Sequence, residues 1–414
     1  MNSTKRSVFI TLLLLCLFTL GACGTATTPA DNPNDPNDPA QNDPNVPNNP
    51  ADLDPAPQVV FTPVGGVIDD ALIDLEFLPG QGGQAIAITQ DGNVYYLDEN
   101  FNVVGSAFAI SVKYSGEKGL LNVAADPLYD SNGLIYLYYT DPAGGNDLNR
   151  VERYHVDVNV AGNTFSLSDP VEIISFQKTT SAVNHNGGSL VFMTQDELAI
   201  GVGDGGDTPN LAQDLDSRLG KIHRVIPSRA MGVGGFTDPG NGVSTTHPSI
   251  YSQGLRNPFT IVVDREGDLF VGDVGANTFE EINCVYYAGE NYHWPECEGP
   301  CPQYDIINPV HGYAHNDGDF DPDFSTAGPK SIIISALYLG DQYGGAFTDR
   351  MIYNEFFDGF VRLLTMNQYE QVIADEHIGH IQGLTGLHEN PADGLLYGVS
   401  LFGPSQVVRL DLAP

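Results

Sequence analysis

A short pattern recurs six times along the chain and constrains its fold more than any other feature. In each copy a turn residue such as Asp, Asn or Gly precedes a short apolar strand rich in β-branched or aromatic residues. The copies lie at residues 91–97, 132–137, 196–202, 267–271, 349–353 and 393–397. Because little of the sequence between them has helical periodicity, the pattern predicts an all-β protein.

The number of copies favours one all-β architecture. Six irregularly spaced copies over about 350 residues are typical of a six-bladed β-propeller with four-stranded antiparallel blades. We expect residues 406–412 and a segment within residues 59–77 to close the ring, because closure protects sheet edges. A β-sandwich is the alternative.

The N-terminus has the features of a bacterial lipoprotein signal. Lys5 and Arg6 precede an apolar run at residues 8–18, and small residues then lead to Cys23. We therefore predict a signal peptide at residues 1–22 and a lipid on Cys23. A plain secretory signal with an incidental cysteine is the alternative, whereas the apolar run is too short to span a bilayer.

Residues 23–58 are predicted to be a disordered tether, because they are rich in Pro, Asn and Asp and offer little apolar surface to bury. The propeller domain then spans residues 59–414. This arrangement predicts a lipid-anchored protein of the bacterial cell envelope, periplasmic or surface-facing, with the outer membrane as the expected location. Its contact with the membrane would be through the lipid only.

The charge of the chain excludes some partners. Seventeen Lys and Arg residues stand against 53 Asp and Glu residues, a formal net charge of -36. Such a surface repels nucleic acid and anionic lipid, so we expect neither as a partner.

The five cysteines divide into two groups. Cys16 leaves with the signal and Cys23 takes the lipid. Export favours oxidation of the others, and Cys297 and Cys301 are close enough in sequence to close a short disulfide. Cys284 lies in an apolar stretch and is predicted to be a buried thiol, with a Cys284–Cys301 pairing as the alternative.

A histidine on a glycine-rich turn is the strongest candidate for chemistry. Residues 184–188 read Asn-His-Asn-Gly-Gly, which places His185 where a ligand could approach closely. Two apolar runs follow, at residues 189–193 and 198–202, and are predicted to be paired strands. A glycine-aspartate loop at residues 203–207 comes next, so the histidine and this loop could share one rim of a sheet.

Four separated blocks of the sequence follow a known order along the chain. They are residues 117–121 with 125–127, residues 184–224, residues 250–258, and residues 273–275 with 280–283 and 289–295. In these blocks the sequence resembles the glucose/sorbosone dehydrogenase family of soluble quinoprotein sugar dehydrogenases and their relatives. The resemblance begins at about residue 67 and implies a six-bladed propeller.

The resemblance also implies an activity and a set of site residues. Active relatives oxidise the anomeric hydroxyl of a sugar to a lactone, and hydride passes to pyrroloquinoline quinone (PQQ). His185 stands where the family has its proton-accepting histidine, and imidazole can accept a proton near neutral pH. Arg256 corresponds to the arginine that holds the quinone and stabilises charge on its oxygen. Asn257 and Glu117 correspond to neighbours of the cofactor.

The resemblance implies calcium as well, on main-chain oxygens at Gly275 and Ala276, and oxygen ligands suit this hard cation. Two acidic loops, at residues 204–207 and 317–323, are alternative calcium sites, although solvated acidic loops are common in so acidic a chain.

The sequence departs from the family where active members have a cofactor-anchoring lysine. Residues 353–362 place apolar and acidic residues there, including Phe356 and Phe357. Binding a polyanion in a strongly negative field requires local positive charge. The cations that we expect to supply it are Arg256, Lys221, Arg224, Arg218 and Arg362.

Two functions follow from these observations. The first is a PQQ- and calcium-dependent oxidoreductase that acts on a small aldose-type sugar and passes electrons to an external acceptor. The alternative is a tethered, non-catalytic propeller that binds glycan or protein ligands. Trp294, the only tryptophan, fits either a ligand contact or core packing. The first function requires His185 and Arg256 to face the same axial cavity.

Overall fold

The computed structural model describes residue 53 and residues 55–414, apart from 144–146, 303–305, 368 and 404. The predicted signal peptide, Cys23 and most of the predicted tether lie outside the described residues. Within them, regular helix is limited to α1 (Tyr129–Asn132) and a 3-10 turn at Pro209–Ala212. No described helix has the length and apolar character needed to cross a membrane.

Twenty-five strands in the described residues form six antiparallel sheets, which are the blades of a propeller. Blade 1 consists of β2 (Leu72–Phe77), β3 (Ala85–Thr89), β4 (Asn93–Leu97) and β5 (Val103–Ala109). Blade 2 consists of β6 (Leu120–Ala125), β7 (Leu134–Asp141), β8 (Leu148–Asn159) and β9 (Thr164–Gln177). Blade 3 consists of β10 (Leu190–Phe192), β11 (Leu198–Val202), β12 (Lys221–Pro227), β13 (Phe236–Thr237) and β14 (Ile250–Gln253).

The other three blades follow the same plan. Blade 4 consists of β15 (Pro258–Val263), β16 (Leu269–Asp273), β17 (Phe279–Val285) and β18 (His311–Ala314). Blade 5 consists of β19 (Ile332–Tyr338), β20 (Arg350–Glu355), β21 (Phe360–Met366) and β22 (Val372–His380). Blade 6 consists of β23 (Leu384–Glu389), β24 (Leu396–Ser400), β25 (Val407–Leu412) and β1 (Val59–Val64).

The innermost strands of the blades form a closed ring around the axis. Each contacts the innermost strand of the next blade, in the order β2, β6, β10, β15, β19, β23 and back to β2. The ring is closed by pairing the two ends of the domain, since β1 runs antiparallel to β25 with Val59 opposite Leu412. The predicted closure is therefore present, although Leu72–Phe77 begins blade 1 instead of taking part in it.

The six copies of the sequence pattern fall in six different blades. Five of them overlap the second strand of a blade, namely β7, β11, β16, β20 and β24. The copy at residues 91–97 instead contains β4, the third strand of blade 1. This shift of one strand accounts for part of the irregular spacing. The second strands alternate little because both of their faces pack against neighbouring blades, and every residue of β7 is buried.

Candidate functional site

A cavity of about 370 Å³ lies on the propeller axis. Its wall includes residues from the innermost strands of five blades: Ile73, Leu121, Phe259, Ile333 and Thr385. A second axial cavity of about 570 Å³ shares four of these residues, so the two cavities are neighbouring parts of one channel. We call the first one the upper cavity.

The upper cavity brings together the residues predicted for catalysis, cofactor and metal. All six contribute to its wall: His185, Arg256, Asn257, Glu117, Gly275 and Ala276. They come from four separate loops, which end on the same side of blades 2 to 4. Phe356 and Phe357 also belong to the wall, and they leave the cavity open.

His185 is held on its turn from two directions. Its backbone is left-handed (φ 53°), and its N–H donates to Glu117 Oε2 at 2.7 Å. Its ring Nδ1 lies 2.7 Å from Asp204 Oδ1. Gly187 and Gly203 allow this packing, because a Cβ on Gly203 would lie 2.3 Å from the His185 carbonyl oxygen.

Asp204 is a buried carboxylate that fixes the histidine ring. Burial raises its pKa, but hydrogen bonds from His185, from the N–H of Gly206 and from the indole of Trp294 outweigh burial, so the pKa lies below its ordinary value. An ionised carboxylate only accepts hydrogen bonds, so Nδ1 of His185 carries the proton. In the neutral ring Nε2 then carries no proton and can accept a proton.

Trp294 connects the histidine pair to Arg256. Its indole N–H donates to Asp204 Oδ2 at 2.8 Å, and the guanidinium carbon of Arg256 lies 5.6 Å from the centroid of its ring. Arg256 Nη1 also donates to the carbonyl of Val274 at 2.6 Å. Of the two roles left open for Trp294, the structure places it in contact with site residues.

Asn257 braces the turn that carries His185. Its Oδ1 accepts from the N–H of Gly187 at 2.9 Å. The carboxylate of Asp273 accepts from the backbone N–H groups of both Arg256 and Asn257, at distances of 2.6 to 3.1 Å. This carboxylate orders the arginine loop against the end of β16.

Gly275 and Ala276 lie on a loop that is organised by one carboxylate. Glu298 Oε1 accepts four successive backbone N–H groups, from Ala276, Asn277, Thr278 and Phe279, at 2.7 to 3.2 Å. Gly275 is required here because a Cβ would lie 1.7 Å from the carbonyl oxygen of Phe279. Backbone oxygens at Gly275 and Ala276 are the kind of ligand that calcium accepts.

A disulfide closes the loop that carries Glu298. Cys297 and Cys301 are bonded, and the free Cys284 is buried in β17. The bond encloses residues 298–300, so the cross-link lies next to the carboxylate that orders the Gly275–Ala276 loop. Burial raises the pKa of the Cys284 thiol, which keeps it protonated.

Most of the cations expected at the cavity are engaged elsewhere. Lys221 donates to three backbone carbonyls, and Arg362 pairs with Asp321 and Asp375. Arg218 donates to the carbonyl of Ser175, and Arg224 to Asn241. The expectation that these four supply charge to the site was wrong: none of them lines the upper cavity, and each binds oxygens elsewhere in the fold.

Lys330 is the cation that sequence reasoning missed. It lies in the wall of the upper cavity, two residues before β19. The sequence held one signal for it: a lone lysine just before a strand in a chain with few cations. Together with Arg256 it could hold an anionic cofactor.

The two acidic loops considered for calcium have other partners. Asp204 is engaged by His185 and Trp294. In the second loop Asp321 binds Arg362, while ligand atoms of Asp321, Asp323 and His377 lie within 4.8 Å of one another. An arginine already neutralises this group, so it is a weaker candidate than the Gly275–Ala276 loop.

The sequence of this chain is similar to those of known proteins. The family model for Glucose / Sorbosone dehydrogenase matches residues 70–397. The HIPL2 protein of Arabidopsis thaliana is 36% identical over 149 residues, which cover 32% of this chain and 21% of that protein. The matched stretch therefore spans about a fifth of that relative's length.

Solved structures share the fold. The apo form of the soluble aldose sugar dehydrogenase from Escherichia coli has a TM-score of 0.68 and 20% identity, over 86% of this chain and 100% of that one. The PQQ-bound form of aldose sugar dehydrogenase from Streptomyces coelicolor has a TM-score of 0.64 and 22% identity, over 86% of this chain and 99% of that one. At these identities the likeness concerns the fold.

Proposed function

The chain belongs to the glucose/sorbosone dehydrogenase family, and on this premise we propose that it is a PQQ- and calcium-dependent sugar dehydrogenase. It oxidises the anomeric hydroxyl of an aldose-type sugar to a lactone, and an external acceptor takes the electrons. One observation carries the proposal: the His185–Asp204 pair and Arg256 belong to one site on the axis, with His185 and Arg256 in the wall of the same cavity.

His185 is the general base in this proposal. Asp204 holds the proton on Nδ1, so Nε2 can take the proton of the anomeric hydroxyl. Removing this proton favours loss of hydride from the same carbon. The imidazolium that forms is stabilised by the Asp204 carboxylate at 2.7 Å.

The upper cavity fits a planar, anionic cofactor. Arg256 and Lys330 supply positive charge, and Nε of Arg256 is buried without a hydrogen-bond partner among the described residues. A guanidinium fork suits carbonyl and carboxylate oxygens. When bound, PQQ would supply the acceptor for the hydride and its two electrons. Arg256 would hold the cofactor and offset the negative charge that it gains.

Calcium would be held by the loop that Glu298 orders. Gly275 and Ala276 of this loop line the upper cavity together with Arg256. Glu117, another oxygen donor, stands in the same wall. A cation here would offset part of the negative charge that the cofactor brings.

Phe356 and Phe357 give the substrate an apolar surface. Their ring centroids are 5.0 Å apart, and Phe402, whose ring centroid lies 5.0 Å from that of Phe356, is 57% exposed. Aromatic faces pack against the C–H faces of sugar rings. An aldose is therefore expected to enter between these rings and His185.

Reconstitution tests the proposal. The purified protein is incubated with PQQ and calcium chloride, and reduction of a dye is followed with a panel of aldoses. We expect sugar-dependent reduction that requires both the cofactor and the metal. Binding of sugar without any dye reduction, at saturating cofactor, would contradict the enzyme and favour a non-catalytic binding propeller.

We also propose that a lipid on Cys23 anchors the protein in the bacterial cell envelope. The support is the sequence of the first 23 residues, which lie outside the described part. The variant Cys23→Ser is expected to leave the membrane fraction for the soluble fraction. If Cys23→Ser and wild type were retained equally in the membrane fraction, the proposed lipid anchor would be contradicted.

A further inference from the structure

Lys330 is a buried cation with weak partners. Its side chain is 1% exposed, and its Nζ lies 3.3 Å from Asp358 Oδ2. The carbonyl oxygens of Pro329 and Ala327 are 3.3 and 3.4 Å away. Charge-assisted hydrogen bonds from an ammonium are usually about 2.7–2.9 Å long, so none of these contacts is a strong one.

Two other buried lysines are held more tightly. Lys221 Nζ has three carbonyl oxygens at 2.8 Å. Lys178 Nζ has three oxygens at 2.7, 2.9 and 3.1 Å. Burying an ammonium is costly unless strong acceptors replace water. Lys330 therefore differs from them in keeping donor capacity that its own loop does not use.

Lys330, with its unused hydrogen-bond donor capacity, belongs to the wall of the upper cavity. Lys330 shares this wall with Arg256, whose buried Nε also lacks a partner within the described residues. The chain has a formal net charge of -36, yet this cavity holds two cationic side chains with unsatisfied hydrogen-bond donors. Together they form a local binding site for an anion. Their separate origins, before β15 and before β19, fit a rigid ligand with several acidic groups.

We propose that Lys330 binds an anionic oxygen of the quinone cofactor and supplies the positive charge that residues 353–362 lack. The proposal rests on the proposed function. Lys330 belongs to the loop before β19, whereas Phe356 and Phe357 follow β20, so the cation comes from a different segment of the same blade. The phenyl rings are left free to face the substrate.

Cofactor binding can be measured without turnover. Trp294 is the only tryptophan and contacts Arg256, and PQQ absorbs in the range of tryptophan emission. Full-length apo protein with calcium chloride is titrated with PQQ while Trp294 fluorescence is followed. For Lys330→Met we expect a dissociation constant about 10- to 100-fold higher than wild type, which corresponds to one lost charge-assisted hydrogen bond. Lys330→Arg is expected to restore most of the affinity.

Two controls separate the local role from net charge and from folding. Arg265→Gln removes one positive charge from an exposed pair with Asp349 and should bind PQQ like wild type. Lys330→Met combined with Asp358→Asn leaves no unpaired carboxylate and should show the same loss as Lys330→Met. Thermal unfolding of each variant verifies that it is folded.

The outcomes distinguish this inference from the proposed function. If wild type binds PQQ and oxidises sugar, and folded Lys330→Met and the double variant bind PQQ equally well, the role of Lys330 is refuted and the function stands. If wild type shows no quenching at any PQQ concentration, both are refuted. A selective loss in the Lys330 variants supports the inference.

Discussion

Nδ1 of His185 lies 2.7 Å from Oδ1 of Asp204, and the other oxygen of that carboxylate accepts from Trp294. Hydrogen bonds on both oxygens fix the orientation of the carboxylate. The histidine ring is therefore set in one tautomer before any substrate binds, which leaves no reorganisation of the base for the reaction step.

Asp204→Asn is expected to lower kcat about 10²- to 10⁴-fold with little change in KM. The asparagine amide can donate to Nδ1, which moves the ring proton to Nε2 and removes the base. Steady-state dye reduction checks this. Asp207→Asn, an exposed neighbour in the same loop, should stay close to wild type. Equal activity of the two variants would exclude this role of Asp204.

His185→Asn is expected to abolish turnover without loss of the fold. Asparagine tolerates the left-handed backbone of this position (φ 53°), whereas alanine would add about 1 kcal/mol of strain. Circular dichroism should therefore show an unfolding temperature within a few degrees of wild type for His185→Asn. A large drop in that temperature would mean that the ring is chiefly structural.

Arg256→Lys is expected to weaken PQQ binding although the charge is kept. The guanidinium donates to Val274 and packs over Trp294 at the same time, and a lysine ammonium cannot do both while facing the cavity. We expect about a 10-fold or greater rise in the PQQ dissociation constant, measured by Trp294 quenching. Arg350→Lys, on β20 and outside the cavity wall, is the matched control. Equal PQQ affinity for the two variants would contradict the role of Arg256.

The blades were predictable from sequence because one strand of each blade carries a strong local signal. A turn residue and a short apolar strand recur in every blade, and the pattern does not depend on distant contacts. The position of a strand within its blade was not predictable, as β4 shows. That position depends on which neighbour pairs with it, and local residues do not specify it.

The site was predictable where loops carry motifs, as at His185 and Arg256. It was not predictable at Lys330, whose role depends on which blades meet at the axis and on how few oxygens surround its ammonium. Glu298 is a similar case. Nothing near residue 298 in the sequence indicates that its carboxylate caps a loop 20 residues earlier.

The contacts of His388 with two carboxylates predict that the folded protein loses stability at alkaline pH. Its Nε2 is 3.3 Å from Asp74 and its Nδ1 is 3.4 Å from Glu76. Burial lowers its pKa, but the two carboxylates outweigh burial and raise the pKa to about 10. The unfolded value is about 6.5, so this stabilisation is complete below that pH and is lost as pH rises towards 10.

Urea unfolding at several pH values from 6 to 10 measures this effect. His388→Gln should lower the free energy of unfolding at pH 6 and make it depend less on pH up to 10. His380→Gln, a more exposed histidine paired with Asp323, is the control. The same pH dependence in His388→Gln and wild type would contradict the assignment.

Glu298→Gln is expected to destabilise the protein and weaken calcium binding, although Glu298 is not a proposed ligand. Burial raises the pKa of Glu298, but four N–H groups from residues 276–279 outweigh burial and keep the pKa below its ordinary value. A glutamine lacks the charge that strengthens these bonds, so we expect a loss of about 1–3 kcal/mol in urea unfolding at pH 7.

The difference in stability between wild type and Glu298→Gln should depend on pH in one direction. A carboxyl group whose pKa is lowered by folding stabilises the native state above its unfolded pKa, and this stabilisation is lost as pH falls through the folded value. The gap between wild type and Glu298→Gln should therefore narrow as the pH is lowered below about 4.5, near the ordinary pKa of a glutamate. Glu296→Gln, exposed and two residues earlier, should match wild type in both urea unfolding and calcium calorimetry. If Glu298→Gln bound calcium as wild type does, the Gly275–Ala276 loop would not depend on this carboxylate for its shape.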